Sequence, residues 1–394
     1  MQNKNEIKFQ LVKPLPHELF DEDALKVYYR LRRNRFSTYF VGGCIRDLLL
    51  GNPPKDFDIV TSARPKQIRR LFHNSRIIGR RFRLVNVFFG KKVIEVTTFR
   101  KTPWENGEPD NQKKLLIQND NFFGSDEEDA MRRDFTINAL FYCPEERMVV
   151  DYTDGLEDLQ YGKVRTIGDP KIRLAEDPVR IIRAIKFAAC LGFEMTPDLY
   201  QAVLQCSHFL ERTPPARILL EMLKVLRTRK VYFCFDSLLK SGALAIISPD
   251  LAKILHQSRT EEYRLLHRYF RALDALADSD RTKLMDETLF TIPCWSIFIH
   301  KNQKDRKMSY DFFETVLEDT KHKLSLSKRL RQSVFNIINL QMIFDRKNKK
   351  KISHSLVSDI PAAIQVLKIR MLMGDVSEKS YQHWLEKTEK YFSE

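Results

Sequence analysis

The chain has 394 residues, 43% hydrophobic and 30% charged, a composition that excludes a disordered chain and is long enough for two or three domains. No apolar run approaches the ~20 residues that span a bilayer, and Met1–Lys13 lacks an apolar signal core, so the expected compartment is the cytoplasm. The balance of 67 Lys+Arg against 52 Asp+Glu leaves a formal charge of +15, a field that draws polyanions; RNA, DNA and an acidic membrane all satisfy it.

In chain order, residues 22–36 read as a helix, with Leu25, Tyr28, Tyr29 and Leu31 apolar among charges. Ser37 to Val41 is short and β-prone, and Gly42-Gly43 stops it. A helix follows from Cys44 to Leu50, Pro53-Pro54 interrupts, and Phe57 to Val60 resumes as a strand. Residues 65–73 are helical, opening on Pro65. Leu84–Phe89 and Val93–Phe99, joined by Gly90-Lys91-Lys92, form a hairpin. Residues 101–120, with Pro103, Gly107 and Pro109, read as a mobile surface loop. Ser125 and Glu128 have the spacing of a capping box leading into Glu128–Asp134. Phe141–Cys143 and Met148–Tyr152 make a second hairpin across Pro144. Beyond about residue 155 the pattern turns almost wholly helical, through 178–191, 197–210, 214–227, 231–240 and on to the end. Cys44, Cys143, Cys190, Cys206, Cys234 and Cys294 are widely separated, with no zinc spacing. Apolar neighbours mark them as small hydrophobes kept reduced.

The sharpest chemical signal is Gly42-Gly43-x-x-Arg46-Asp47 followed by Asp56-Phe57-Asp58. On a strand, residues two apart share a face, which places Asp56 and Asp58 side by side. Two like charges there call for a cation, and hard oxygen ligands suit Mg²⁺. Gly42 and Gly43 leave room for a triphosphate and offer backbone N–H groups to its oxygens. Glu95, in the apolar strand after Val93, is the third carboxylate if its strand lies beside that of Asp58. Two Mg²⁺ ions on such a site activate a ribose 3′-OH and stabilise leaving pyrophosphate. No P-loop and no G-x-G-x-x-G occurs, which removes the ordinary kinase, ATPase and dinucleotide readings.

Two basic clusters follow. Arg132-Arg133-Asp134 can neutralise a triphosphate, with Asp134 orienting an arginine or a ribose. Glu176-Asp177-Pro178-Val179-Arg180-Ile181-Ile182-Arg183 opens a helix, with Asp177 as candidate N-cap and Ile181, Ile182, Ile185, Ala188 and Ala189 as its buried face. Asp177, Arg180 and Arg183 fall three apart on another face. A carboxylate beside a guanidinium matches the amine and ring nitrogen of adenine or cytosine and refuses uracil and guanine. The same pair also reads as an ion pair capping a helix. Lys347, Lys349, Lys350 and Lys351 form a basic run that serves as an RNA track or as a solvated helix end.

These four motifs, with Phe135-Thr136-Ile137-Asn138-Ala139-Leu140 completing the third, stand in the order seen in class II nucleotidyltransferases, and the resemblance covers roughly residues 37–230. That superfamily holds bacterial poly(A) polymerases and tRNA CCA-adding enzymes. The resemblance implies an α+β fold: a polymerase-β-like palm of mixed sheet and helices, then all-α neck, body and tail domains. The expected bounds are 1–153 for the nucleotidyltransferase head, 154–245 for the neck that recognises the base and binds RNA, and 246–394 for the RNA-binding body and tail.

Carried over by position, Asp56 and Asp58 bind the metals and Asp134 joins them in the active site. Gly42, Gly43, Arg46, Arg133, Arg180 and Arg183 contact triphosphate or sugar, and Asp177 and Arg180 face the base. Arg80-Arg81-Phe82-Arg83-Leu84, Gly124-Ser125-x-x-Glu128-Asp129 and Thr213-Pro214-Pro215-Ala216-Arg217 resemble the poly(A) polymerase branch, although Pro214-Pro215 also simply starts a helix. The implied activity is template-independent addition of AMP from ATP to RNA 3′ ends, with Mg²⁺ as cofactor. The implied partners are RNA and RNA-decay or RNA-chaperone proteins, and no membrane. The alternatives are CCA addition to tRNA and a non-catalytic RNA-binding protein on the same scaffold.

Overall fold

The computed structural model describes residues 8–11, 15–79, 83–101, 122–301, 309–345 and 352–391. Arg80–Phe82, the loop expected over 101–120 apart from Lys101, and Lys347, Lys349, Lys350 and Lys351 lie outside the described residues.

The first part is a mixed sheet of eight strands: β1 Lys8–Leu11, β2 Thr38–Val41, β3 Asp58–Thr61, β4 Ser75–Ile78, β5 Leu84–Phe89, β6 Lys92–Thr98, β7 Leu140–Cys143 and β8 Met148–Asp151, ordered β1-β8-β7-β2-β3-β6-β5-β4. Only β3 and β6 run parallel; the other neighbours are antiparallel. Both expected hairpins form, and Gly90 at φ 59 turns the first. Four helices accompany the sheet: α1 Glu22–Arg33, α2 Gly43–Leu49, α3 Pro65–Leu71 and α4 Asp126–Met131.

Helix α1 forms because Asp21 accepts from the N–H groups of Asp23 and Ala24, while Ala24, Leu25, Val27, Tyr28 and Leu31 make one buried stripe. Tyr28 stacks on Phe40 at 5.3 Å, so the α1 side of the sheet carries Phe40. The opposite side carries Val41, Val60, Phe99, Phe141 and Val150, packed on Ala130 of α4. Period-two alternation puts Asp58 on the face of Val60, away from Phe40. The capping box of α4 is complete in both directions: Glu128 N–H to Ser125 at 3.2 Å, and Ser125 N–H to Glu128 at 2.8 Å.

The chain after residue 155 is less uniformly helical than its pattern implies. It contains α5 Gly155–Gln160, β9 Lys163–Val164, α6 Pro170–Glu176, α7 Val179–Leu191, β10 Glu194–Met195 and α8 Pro197–Cys206, with β9 and β10 paired in parallel. Residues 155–180 pack with the sheet. A side chain at Gly155 would collide with the Thr136 carbonyl, Asp151 accepts the N–H groups of Thr153, Gly155 and Leu156, and Asp158 accepts from Thr136 at 2.6 Å. Compact packing accordingly divides the chain into one unit of residues 1–180 and 192–202 and another of 181–191 and 203–394.

The second unit is built from the rest of α7 and from α9 Pro215–Leu226, α10 Val231–Lys240, α11 Ala243–Ile247, α12 Pro249–His256, α13 Glu261–Ala275, α14 Asp278–Arg281, α15 Asp286–Lys301, α16 Tyr310–Val316, α17 Glu318–Lys323, α18 Lys328–Asp345, α19 Ile360–Leu372 and α20 Glu378–Glu389. Pro214 and Pro215 do start a helix, as N-cap and first residue of α9. Helix α15 contains Pro293, whose missing N–H leaves the carbonyl four residues back without its helical donor. The fully buried Tyr269 supplies one: its hydroxyl donates to Leu289 O at 2.7 Å. Among the described residues no helix is long and apolar enough to cross a membrane. None of the six cysteines forms a disulfide; five are buried as expected, but Cys190 is exposed near the end of α7.

Candidate active site

The site begins where β2 ends. Gly42 has φ 81 and ψ −134, a conformation that glycine alone adopts without strain. A Cβ there would meet Arg133 Nη1 at 3.4 Å and Asn138 O at 3.7 Å, and one at Gly43 would meet Arg46 Nη2 at 3.6 Å. The two glycines thus form the floor on which two guanidinium groups converge. Their backbone is less available than expected, because Gly42 N–H donates to Leu140 O at 3.3 Å.

Arg46, on α2, is buried. It donates to Asn138 Oδ1 at 2.7 Å and to Asp47 at 2.7 and 2.9 Å. Asn138 donates in turn to Asp134 Oδ1 at 3.2 Å, which also accepts Phe135 N–H at 2.9 Å. Asp134 therefore sets the asparagine that sets Arg46. Arg133 is gripped by Asp129 at 2.9 and 3.1 Å, donates to Asn138 O, and lies 5.2 Å over the Phe141 ring.

Asp58 opens β3, and Asp56 precedes the strand rather than lying on it. The strand starts one residue later than expected because Pro53-Pro54 keeps the approach irregular. Both carboxylates are exposed. Even so, burial of its surroundings raises the Asp58 pKa, the Arg133 charge opposes that shift, and the Asp56 charge adds to it. The carboxyl is open to solvent but has protein on enough sides to lose much of its hydration. Cys44 lies next to Asp58, and burial pushes its thiol up to about 12, so it adds no charge.

Glu95 is exposed on β6. Ile59 pairs with Val96 in parallel, so Glu95 occupies the register position beside Asp58 and shares its face. Among the described residues, however, no three His, Cys, Asp or Glu side chains are close enough to hold one ion. The neighbouring-strand arrangement is present, but the three carboxylates are not gathered.

Arg180 is buried, and its Nη1 donates to Arg173 O at 2.7 Å and to Glu176 at 3.2 Å. Glu176 also accepts from Arg173 Nη1 at 2.6 Å, and Arg173 Nη2 donates to the carbonyls of Arg132 and Arg133 at 2.6 and 2.7 Å. One buried chain of contacts thus runs from Arg180 through Glu176 and Arg173 to the Arg132-Arg133 turn. Burial, then the Arg180 charge, pushes Arg173 down to about 10, against the pull of Glu176. Asp177 is the C-cap residue of α6, and its carbonyl accepts the Arg180 N–H at 3.0 Å. Arg183 belongs to the second unit, where it lies 3.8 Å from Glu221 and 5.5 Å over Phe187. Ile181, Ile182 and Ile185 are buried on α7 as expected, while Ala188 and Ala189 are only half-buried.

Five residues of this network carried no sequence-based role: Asp47, Asp129, Asn138, Arg173 and Glu176. Asp129–Arg133 at i,i+4 and Arg173–Glu176–Arg180 at i,i+3 and i,i+4 were readable as helical ion pairs. Asn138 had no comparable signal, because its link to Arg46 spans 92 residues.

Residues 38–165 match the family model of the Poly A polymerase head domain, and residues 192–255 match the model described as a probable RNA and SrmB-binding site of polymerase A. The chain is 38% identical to poly(A) polymerase I of Salmonella typhimurium over 344 residues, covering 84% of this chain and 74% of that protein. It is 36% identical to the CCA-adding enzyme of Streptococcus suis over 256 residues, covering 64% of this chain and 61% of that one. Its fold is similar to that of the Bacillus stearothermophilus CCA-adding enzyme in complex with CTP, with a TM-score of 0.64, 25% identity, and coverage of 94% and 82%.

Proposed function

Because the chain belongs to the nucleotidyltransferase family of bacterial poly(A) polymerases and CCA-adding enzymes, we propose that it adds AMP from ATP to RNA 3′ ends without a template, releasing pyrophosphate. The observation that carries the choice of adenylate is reach. Sequence likeness to the Salmonella typhimurium poly(A) polymerase I extends over 84% of the chain, against 64% for the Streptococcus suis CCA-adding enzyme.

In the reaction the RNA 3′-oxygen bonds to the α-phosphorus of ATP, the α–β phosphoanhydride bond breaks, and the hydroxyl gives up its proton. Arg46 and Arg133, converging on the glycine floor, hold the triphosphate bidentately, and the missing side chains of Gly42 and Gly43 let it come close. Asp134 acts through Asn138 to fix Arg46. Asp177 and Arg180 select the base, and Glu176 keeps the Arg180 guanidinium from swinging. Asp56 and Asp58 would hold Mg²⁺, with Glu95 on the neighbouring strand: hard oxygen donors, one of them already destabilised by lost hydration and a like charge, fit that ion. Two bound Mg²⁺ ions would activate the 3′-OH and neutralise the leaving pyrophosphate.

The test is extension of a labelled generic RNA, alongside a tRNA lacking its CCA end, with Mg²⁺ and each nucleotide supplied separately. Long ladders on generic RNA with ATP alone are expected. Three-nucleotide growth confined to tRNA and needing CTP and ATP would establish CCA addition, the reading favoured by the CTP-bound structural relative. Asp58→Ala should abolish incorporation while RNA binding persists. A wild type that binds RNA and incorporates nothing would establish the non-catalytic reading.

A further inference from the structure

Helices α10 and α13 of the second unit share a surface whose composition their packing does not require. The packing itself is carried by Phe235 and Phe270, buried and stacked at 4.3 Å. Outside that pair lies a second row of rings. Tyr263 stacks on His267 at 5.9 Å, His267 meets Tyr232 edge-on at 4.9 Å, and Tyr232 meets Phe233 at 5.7 Å. Tyr232, Tyr263 and His267 are half-buried, and Phe233 is 55% exposed. An exposed phenylalanine forgoes the stabilisation that its burial would contribute.

The charge around these rings is positive. Arg271 lies 5.7 Å over Tyr232 and Lys230 lies 5.5 Å over Phe233. Tyr263, His267 and Arg271 are four apart, so they form one stripe of α13, with Arg264 and Arg268 on the adjoining one. Arg229 and Arg268 are paired with Asp278 and Asp375. Lys230, Arg264 and Arg271 form no ion pair among the described residues. The nearby acids are otherwise engaged: Asp274 accepts the N–H groups of Val231 and Tyr232, and Asp236 pairs with Lys240. Glu261 at the start of α13 is exposed. Burial and the Arg271 charge lower the pKa of His267, so at neutral pH it presents a neutral ring.

Rings interleaved with unpaired cations match a single-stranded nucleic acid, whose bases stack on the aromatics while its phosphates meet the cations. A duplex keeps its bases stacked inside and offers nothing to Phe233. We propose that Tyr232, Phe233, Tyr263 and His267, with Lys230, Arg264 and Arg271, form a stacking platform for unpaired bases of the RNA substrate. The proposal rests on reading the chain as an RNA-tailing enzyme and assigns its RNA contact to seven particular side chains, four of them beyond the segment matched as an RNA-binding region.

The experiment measures fluorescence anisotropy of a 5′-labelled oligoadenylate, and of a blunt RNA duplex of equal length, against the full chain without nucleotide. Phe233→Ala should weaken oligoadenylate binding about tenfold and leave the duplex unaffected, while Phe233→Trp retains affinity. Lys230→Gln and Arg264→Gln should each lower the slope of log K against log salt by about 0.7. Unchanged oligoadenylate affinity in Phe233→Ala, or an equal loss on duplex, overturns the proposal; the first result would make the patch a protein-docking face. Since the assay needs no ATP, a chain that failed to polymerise would still answer it.

Discussion

Glu176→Gln isolates the buried link between Arg180 and the Arg132-Arg133 turn. Glu176 is 6% exposed and is the carboxylate between two guanidinium groups, at 2.6 and 3.2 Å. The substitution preserves size and leaves one oxygen acceptor, but it removes the charge that opposes the mutual repulsion of Arg173 and Arg180. Removing one partner of a buried ion pair costs ~3–5 kcal/mol. The retained glutamine oxygen puts the expected loss near the lower end, about 3 kcal/mol. Urea unfolding followed by circular dichroism reads this loss, and the KM for ATP should rise because Arg173 holds the carbonyls of Arg132 and Arg133. The pH dependence supplies a second signature. Burial and the Arg180 charge push the Arg173 pKa down from its usual 12.5 to about 10, and loss of the Glu176 charge lowers it further. The penalty should therefore shrink as pH rises toward 10, where Arg173 sheds its proton and the repulsion ends. A loss under about 1 kcal/mol, or one that stays constant with pH, would refute the idea that Glu176 holds two buried charges together.

Asp58→Asn should raise the melting temperature at pH 7 while abolishing incorporation. The folded-state pKa of Asp58 is raised, so its ionised form is a net cost to folding, absent below the unfolded value near 3.8 and fully present above the folded one; the gain from asparagine should vanish in melts near pH 3. Mg²⁺ should stabilise the wild type and not Asp58→Asn; equal stabilisation would remove Asp58 from the metal site. Tyr269→Phe should cost ~1–3 kcal/mol by leaving Leu289 O unsatisfied, and most of that cost should disappear in a Pro293→Ala background, where the helix supplies its own donor. Additive losses in the double variant would show that the hydroxyl does not replace the missing N–H.

The order of the strands was readable only in part. The hairpins β5–β6 and β7–β8 follow from local alternation and a turn, whereas β7–β2 and β3–β6 join segments far apart in sequence and no local pattern specifies them. β4 escaped notice because Ser75-Arg76-Ile77-Ile78 is short and half polar, and β9 and β10 because two-residue strands leave no period to detect. In the candidate site, the charged residues announced themselves by type and spacing. The residues that aim them did not: Asn138 and Arg173 act through contacts 92 and 40 or 41 residues away in sequence. The offset of Asp56 from its strand has a local origin instead, since Pro53-Pro54 interrupts the chain just before the alternation begins.

The pairing of Tyr269 with Pro293 also constrains the route by which this helix acquired its proline. A carbonyl oxygen has two lone pairs and accepts a second donor without loss, so a tyrosine arriving first meets an already satisfied Leu289 and little penalty. A proline arriving first removes a helical hydrogen bond, at about 3 kcal/mol, with nothing to replace it. Stepwise substitution is therefore easy in one order and hard in the other, and reversion of the tyrosine is closed off for as long as the proline remains.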